Sequence, residues 1–411
     1  MKRVVVFMLA LLLTFGLGNM AAAKTEIEWH VWGTAAYLAD WEKYIDMFEA
    51  SQDQITVKLV NVTGSQSEHL MILLAAGKAP DLAMVNWVGY RPNWFMGLND
   101  FIERDQSFRV SDHFPNAIDG FTYQGEIWAL PFHFGGIITY YNATMFNETG
   151  VNAPDPNWTL ADFEQISRKL NKDTNGDNKI DIYGYAMGNL HREHWFYRHG
   201  VQLFSDDGTE AIPDVNKAAE LFAYLQNLAN SGIIAPTLSG SREEFYAGNK
   251  VAMIDEGPWA LSDIKNNAKF DWGVVPIPQG NVRATLLFLD GNAIPAGAPH
   301  PEAAWEFLKF LSSEELAPLW IQTKGAPSTV KRAAGTYLKM YGDIPGINAV
   351  LDAVQYGYPL PKAINYDLVR YPVLVPVLRQ VLANTISPIQ AATDLKVKFN
   401  EQLAGWREQF K

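Results

Sequence analysis

No cysteine occurs among the 411 residues. Disulfide staples and thiolate metal sites are thereby excluded, and no cysteine follows the leader to carry a lipid anchor. Positive charge is in deficit: the formal net charge is −12, and −14 once Lys2 and Arg3 are gone. Such acidity argues against nucleic acid and anionic membrane surfaces as partners. Past residue 23 no apolar run is long enough to span a bilayer. There is no phosphate-cradling Gly-Lys-Ser/Thr loop, no His-Glu-x-x-His and no Gly-x-Ser-x-Gly. Neither a fixed-period repeat nor a low-complexity tract is present.

Apolar residues are plentiful. At 48% hydrophobic, the chain is long enough for two domains with full cores. Residues 1–23 read as a cleavable leader: Lys2 and Arg3 are its positive start, Val4 to Leu17 its apolar stretch, and Ala21-Ala22-Ala23 its cleavage site. The mature chain is expected to begin near Lys24 and to be exported without membrane insertion.

From Lys24 the pattern reads strand (Glu26 to Trp32), helix (Ala36 to Ser51), strand (Ile55 to Val60), helix (Ser67 to Ala76) and buried strand (Pro80 to Val85). That alternation is the mark of a parallel, doubly wound sheet. Ligands sit beyond the carboxyl ends of such strands, which nominates the loops Trp32 to Thr34, Thr63 to Gln66 and Asn86 to Trp87. Trp128 to Gly150 forms two strand segments around Gly135-Gly136, a flexible joint that suits a crossing between lobes. Asn142 then caps a short helix. Later segments alternate helix and strand. Residues 350–411 are mostly helical, interrupted by Pro359, Pro361, Pro372 and Pro376.

WALPFHFGGIITYYNATMFNETG (Trp128 to Gly150), AGKAPDLAMV (Ala76 to Val85), FYAGNKVAMIDEGPWALSDI (Phe245 to Ile264), WGVVPIPQG (Trp272 to Gly280) and HPEAAWEFLKFLSSEE (His300 to Glu315) stand in an order that resembles the family 1 extracellular solute-binding proteins, the sugar-capturing subunits of bacterial ABC importers. The resemblance covers almost the whole mature chain. One departure is Thr139, where the family's strand usually carries an apolar residue. What the resemblance implies is an α/β, two-lobed periplasmic-binding-protein-like fold. Each lobe would be a doubly wound, mostly parallel sheet flanked by helices, with the ligand cleft between lobes. Three crossings would divide the chain into 24–132 plus 284–328 and 133–283 plus 329–411. Hinge closure would trap a carbohydrate, with an inner-membrane ABC permease as partner, a monomeric state and a periplasmic or secreted location.

A pyranose offers flat C–H faces and a rim of hydroxyls, so its site needs aromatic rings together with carboxylates and amides. The 13 Trp, 17 Tyr and 22 Phe permit such a site. Trp32 and Trp87 stand at strand ends in the first lobe and Trp259 follows a Gly-Pro turn in the second; Trp195 and Trp320 are further candidates. Among polar groups, Glu256 lies beside Trp259, Asp290 and Asn292 flank Gly291, His133 lies at the crossing, and Ser65, Gln66 and Asn86 fit a hydroxyl rim. Each has an ordinary alternative in core packing, capping or turn formation. The many rings favour an oligosaccharide over a single sugar.

DTNGDNKID offers a second constellation. Asp173, Asn175, Asp177 and Asp181, with the Lys179 carbonyl, reproduce most of a calcium loop. Asn178 replaces the usual Gly, and Gly184 holds the twelfth position, where a bidentate Glu belongs. An ion there would be structural, and no cofactor is required. A secreted glycoside hydrolase using Glu256 with Asp290 and an exported sugar-binding sensor or adhesin are the alternative functions.

Overall fold

The computed structural model describes residues 24–86, 94–187, 192–235, 241–247, 250–363 and 366–409. Alternation in Thr25–Val31 makes strand β1, which buries Ile27, Trp29 and Val31. Strands β2 (Ile55–Asn61) and β3 (Leu82–Val85) pair with it in parallel on either side. The intervening helices are Ala35–Ser51 and Gln66–Ala75. A small hairpin, β4 (Thr122–Tyr123) with β5 (Glu126–Ile127), precedes β6 (Leu130–Gly136).

Strand β7 (Ile138–Asn142) lies in a second sheet between β8 (Met253–Glu256) and β9 (Trp272–Pro276), antiparallel to both. The return strand β10 (Thr285–Ala293) rejoins the first sheet, antiparallel to β3 and β6, and parallel to the short β11 (Gly357–Pro359). The first sheet is therefore mixed, and the three strands of the second are antiparallel rather than parallel as expected. In the second lobe the parallel contacts are isolated bridges such as Tyr183 with Val251 and Ala186 with Ile254.

Pairing locates the crossings. β6 stays in the first sheet to Gly136, so the chain passes over at Ile137, later than residue 132. The third passage also comes later than residue 328. The Phe134 N–H donates to Pro327 O at 3.0 Å and the Thr329 N–H to Phe132 O at 3.2 Å, which keeps this segment beside β6. Only then does helix Ala334–Tyr341 bury Tyr337 and Tyr341 in the second lobe.

Gly135 and Gly136 are not a slack joint. Both are buried strand residues, paired with Phe288 and Leu287. A Cβ on Gly136 would stand 2.2 Å from the Ala353 Cβ, and one on Gly135 would stand 2.9 Å from Pro258. The missing side chains let second-lobe elements close onto the crossing strand.

The first lobe packs Trp29, Trp41, Phe307 and Trp320 over one face of its sheet, with Trp29 stacked on Trp41 at 5.3 Å. The second gathers Phe163, Tyr185, Trp195 and Phe222. Pro372 and Pro376 sit inside one helix, Tyr366–Leu382, rather than ending it. Val369, Val373, Val377 and Val381 are all buried along that helix, and their packing offsets the lost backbone bonds.

Candidate functional site

Three surfaces meet between the lobes. The first lobe supplies the loops after β1, β2 and β3. Thr34 caps helix Ala35–Ser51 through the Tyr37 N–H, and Ser65 caps helix Gln66–Ala75 through the Glu68 N–H. The Ser65 hydroxyl is thus engaged as a cap. Gln66 donates weakly to His30 O at 3.5 Å, while its buried Oε1 has no partner. Trp32, Gln66 and Asn86 come together with Trp94 around a cavity of about 40 Å³. Trp87 lies outside the described residues.

The floor is β6 with β10. His133 Nε2 and Asp290 Oδ2 are 2.9 Å apart across the two strands. Burial alone would raise the Asp290 carboxyl, but His133 and, more weakly, Lys324 hold it below the usual range. Lys324, at the end of helix Ala317–Lys324, has its Nζ 3.7 Å from the Tyr37 ring centroid and 5.2 Å from that of Trp41. Burial pushes its ammonium down.

The second lobe presents the end of β8. Glu256 Oε2 accepts from the Trp259 indole at 2.8 Å and from the Gly257 N–H at 3.2 Å, and Arg242 Nη2 lies 3.1 Å away. Arg242 also donates to Asp263 at 2.9 Å. Burial raises the Glu256 carboxyl despite the Arg242 charge. Trp259 reaches the first lobe, edge-on to Phe288 of β10 with centroids 5.2 Å apart. Tyr37 feels the charges of Asp263 and Arg242 from the opposite lobe as well as Asp290 from its own.

Three expected residues lie elsewhere. Trp195 is fully buried under the Arg198 guanidinium at 3.4 Å, inside the second lobe. Trp320 is stacked on Phe132 at 4.0 Å in the first-lobe core. Asn292 is buried with its Oδ1 accepting from Trp29 Nε1 at 2.8 Å. Apolar burial and a core indole's need for an acceptor account for these placements. Conversely, Tyr37, Arg242, Phe288 and Lys324 escaped notice. Tyr37 stands one turn past the Gly33-Thr34 loop and Phe288 two positions before Asp290, which was legible. Nothing local marks Arg242 or Lys324.

The acidic loop is tied by its own bonds. Asp173 Oδ1 accepts from Gly176 N at 2.7 Å, its Oδ2 from Asn178 N at 2.8 Å, and Asp181 Oδ2 from Thr174 N at 2.7 Å. Asn175 and Asp177 accept from Asp177 N and Lys179 N. Among the described residues no three His, Asp or Glu side chains converge as a metal ion requires. At Gly184 an added Cβ would fall 2.1 Å from Ser167 O, so packing forbids the missing twelfth ligand.

Residues 43–345 match a family model described as bacterial extracellular solute-binding protein. A periplasmic sn-glycerol-3-phosphate-binding protein of Yersinia enterocolitica is 27% identical over 354 residues, covering 76% of each chain. The chain spans about 60% of the length of the first curated relatives it matches. An ABC substrate-binding protein of Listeria monocytogenes, solved with cycloalternan, superposes with TM-score 0.77 at 23% identity, over 93% of this chain and 99% of that one. A sugar-binding protein of Xanthomonas citri gives TM-score 0.79 at 19% identity, over 94% and 99%.

Proposed function

The chain belongs to the bacterial extracellular solute-binding proteins, and from that premise we propose that it captures a carbohydrate by hinge closure and delivers it to an ABC permease of the inner membrane. It would work outside the cytoplasm, as a monomer and without chemistry on its cargo. The observation that carries this reading is the pair of half-sites. Trp259, bonded to Glu256 on one lobe, meets Phe288 on the other, two residues from the Asp290 that pairs with His133. Rings with fixed carboxylates and donors are what a polyhydroxylated ligand needs. The likeness to the Listeria protein with its cycloalternan and to the Xanthomonas sugar-binding protein supports a sugar, and the likeness to the Yersinia protein a smaller polyol ester.

The test is a thermal-shift and scattering screen against mono- and oligosaccharides and glycerol 3-phosphate, with product analysis. A saturable rise in Tm, a smaller radius of gyration and intact sugar support the reading, because a ligand stabilises the state it binds. A raised carboxyl at Glu256 and a lowered one at Asp290 also suit an acid–base pair, so cleaved sugar would point to a glycoside hydrolase. Sugar binding that no permease depends on would indicate a sensor or adhesin.

We also propose that no cofactor is required and that calcium at Asp173 to Asp181 is a weak structural ligand. The exposed Asp173 and Asp177 and the half-buried Asp181 speak for it, and the closed twelfth position limits it. A Kd on the order of 1 mM is expected by calorimetry, as in extracellular modules.

A further inference from the structure

Even-numbered residues of β10 point to one face of the first sheet. Phe288 on that face meets Trp259, and Asp290 pairs with His133. At the strand's start Leu286 is in register with Tyr358 of β11, a parallel neighbour, so Tyr358 shares the face. Its ring is 46% exposed and lies on that of Tyr197, with centroids 5.1 Å apart and planes 26° off parallel. An exposed ring held flat by a second ring below it is a ready stacking platform.

Polar groups surround it. The two rings, Asp119, Gln202, Asp206 and Lys362 line a cavity of about 580 Å³. That is the size of a ligand pocket rather than a packing gap. Gln202 Nε2 donates to Asp206 Oδ1 at 3.0 Å, and Lys362 Nζ stands 3.7 Å from Asp119 Oδ1. Asp119 ends a first-lobe helix while Gln202 and Asp206 follow second-lobe helix Glu193–Arg198, so both lobes contribute. Two carboxylates, one amide and one ammonium around an open ring suit a neutral polyol; an anion would face both Asp119 and Asp206.

We infer that the cavity at Tyr358 is a second stacking subsite of the same cleft, which makes the ligand an oligosaccharide rather than a single sugar. The inference rests on the carbohydrate reading above and deepens it. Strand rise and spacing put the Cα atoms of Tyr358 and Phe288 roughly 8 Å apart. One pyranose ring does not bridge two such platforms, and a linked chain does.

The experiment is calorimetry of the protein with glucose, mannose and the malto-, manno- and cello-oligosaccharides of two to five units, comparing wild type, Tyr358→Ala, Tyr358→Phe and Asp206→Asn. Expected is an affinity that rises with length in one series. Tyr358→Ala should lose about tenfold for the oligosaccharides and less than about twofold for the monosaccharides, with Tyr358→Phe unchanged. Asp206→Asn, at an exposed position, should show the same length-selective loss. Equal affinity across lengths, or variants that weaken every length alike, overturns the subsite while the carbohydrate reading stands. No binding of any sugar by wild type overturns both.

Discussion

The Trp259 indole donates to Glu256 Oε2 at 2.8 Å across the turn Gly257-Pro258, so the ring's plane is fixed by a carboxylate that Arg242 also engages. Ring and carboxylate therefore act as one unit. Trp259→Ala should weaken sugar binding by about 2 kcal/mol, roughly thirtyfold, with little change in Tm. Trp259→Phe, which keeps a ring and loses the donor, should fall between. Calorimetry and melting curves on the three proteins separate a binding platform from a core residue: collapse of Tm in Trp259→Ala would make it core.

Gly136 is the tighter of the two crossing glycines, with the Ala353 Cβ at 2.2 Å from where its own Cβ would stand. Gly136→Ala should destabilise by about 1–3 kcal/mol through overpacking, read as a lower denaturant midpoint. The double variant Gly136→Ala/Ala353→Gly should recover most of that loss. Failure of the rescue would move the cost from contact to backbone.

Much of the fold was legible because it is local. The first five elements of the mature chain and the Asn142 cap follow from periodicity and cap chemistry. Where chain order and pocket rules coincide, the structure brings the candidates together: Trp32, Gln66 and Asn86 around one cavity, Glu256 on Trp259, and Asp290 on His133. Trp195 and Trp320 misled because a core tryptophan and a platform tryptophan have the same letter. Arg242 and Lys324 were invisible because what places them, Glu256 and the Tyr37 ring, lies 14 and 287 residues away in sequence. Thr139 seemed a neutral departure and proves to hold a buried carboxylate.

Acid should destabilise the protein between about pH 6.5 and pH 4. Burial lowers His113 from 6.5 to about 4, and burial with the Arg198 charge does the same to His199. A depressed folded pKa means the unfolded chain takes up the proton first, so this stability is complete above 6.5 and lost as pH falls through the window. For His113 the full effect is about 3 kcal/mol. His113→Gln should flatten the acid limb of a Tm-versus-pH curve relative to wild type; parallel curves would show that His113 titrates normally.

Asp255 is a buried charge one residue before Glu256, 4% exposed, with Thr139 Oγ1 and Tyr185 OH each donating at 2.6 Å and His194 Nε2 standing 3.2 Å away. Burial would raise its carboxyl, but His194, Arg198 and Thr139 together hold it lowered. Thr139 pairs with Asp255 across β7 and β8, one residue before Glu256, so this network sets the strand end that carries Glu256. Asp255→Ala should cost about 3–5 kcal/mol, because it leaves the Arg198 charge buried without its counterpart. Thr139→Val, which removes one donor and keeps the shape, should cost about 1 kcal/mol. Chemical denaturation measures both, and sugar affinity at saturating folded fraction should change little in Thr139→Val. A large affinity loss there with normal stability would mean that the network positions Glu256 directly rather than merely stabilising the strand beneath it.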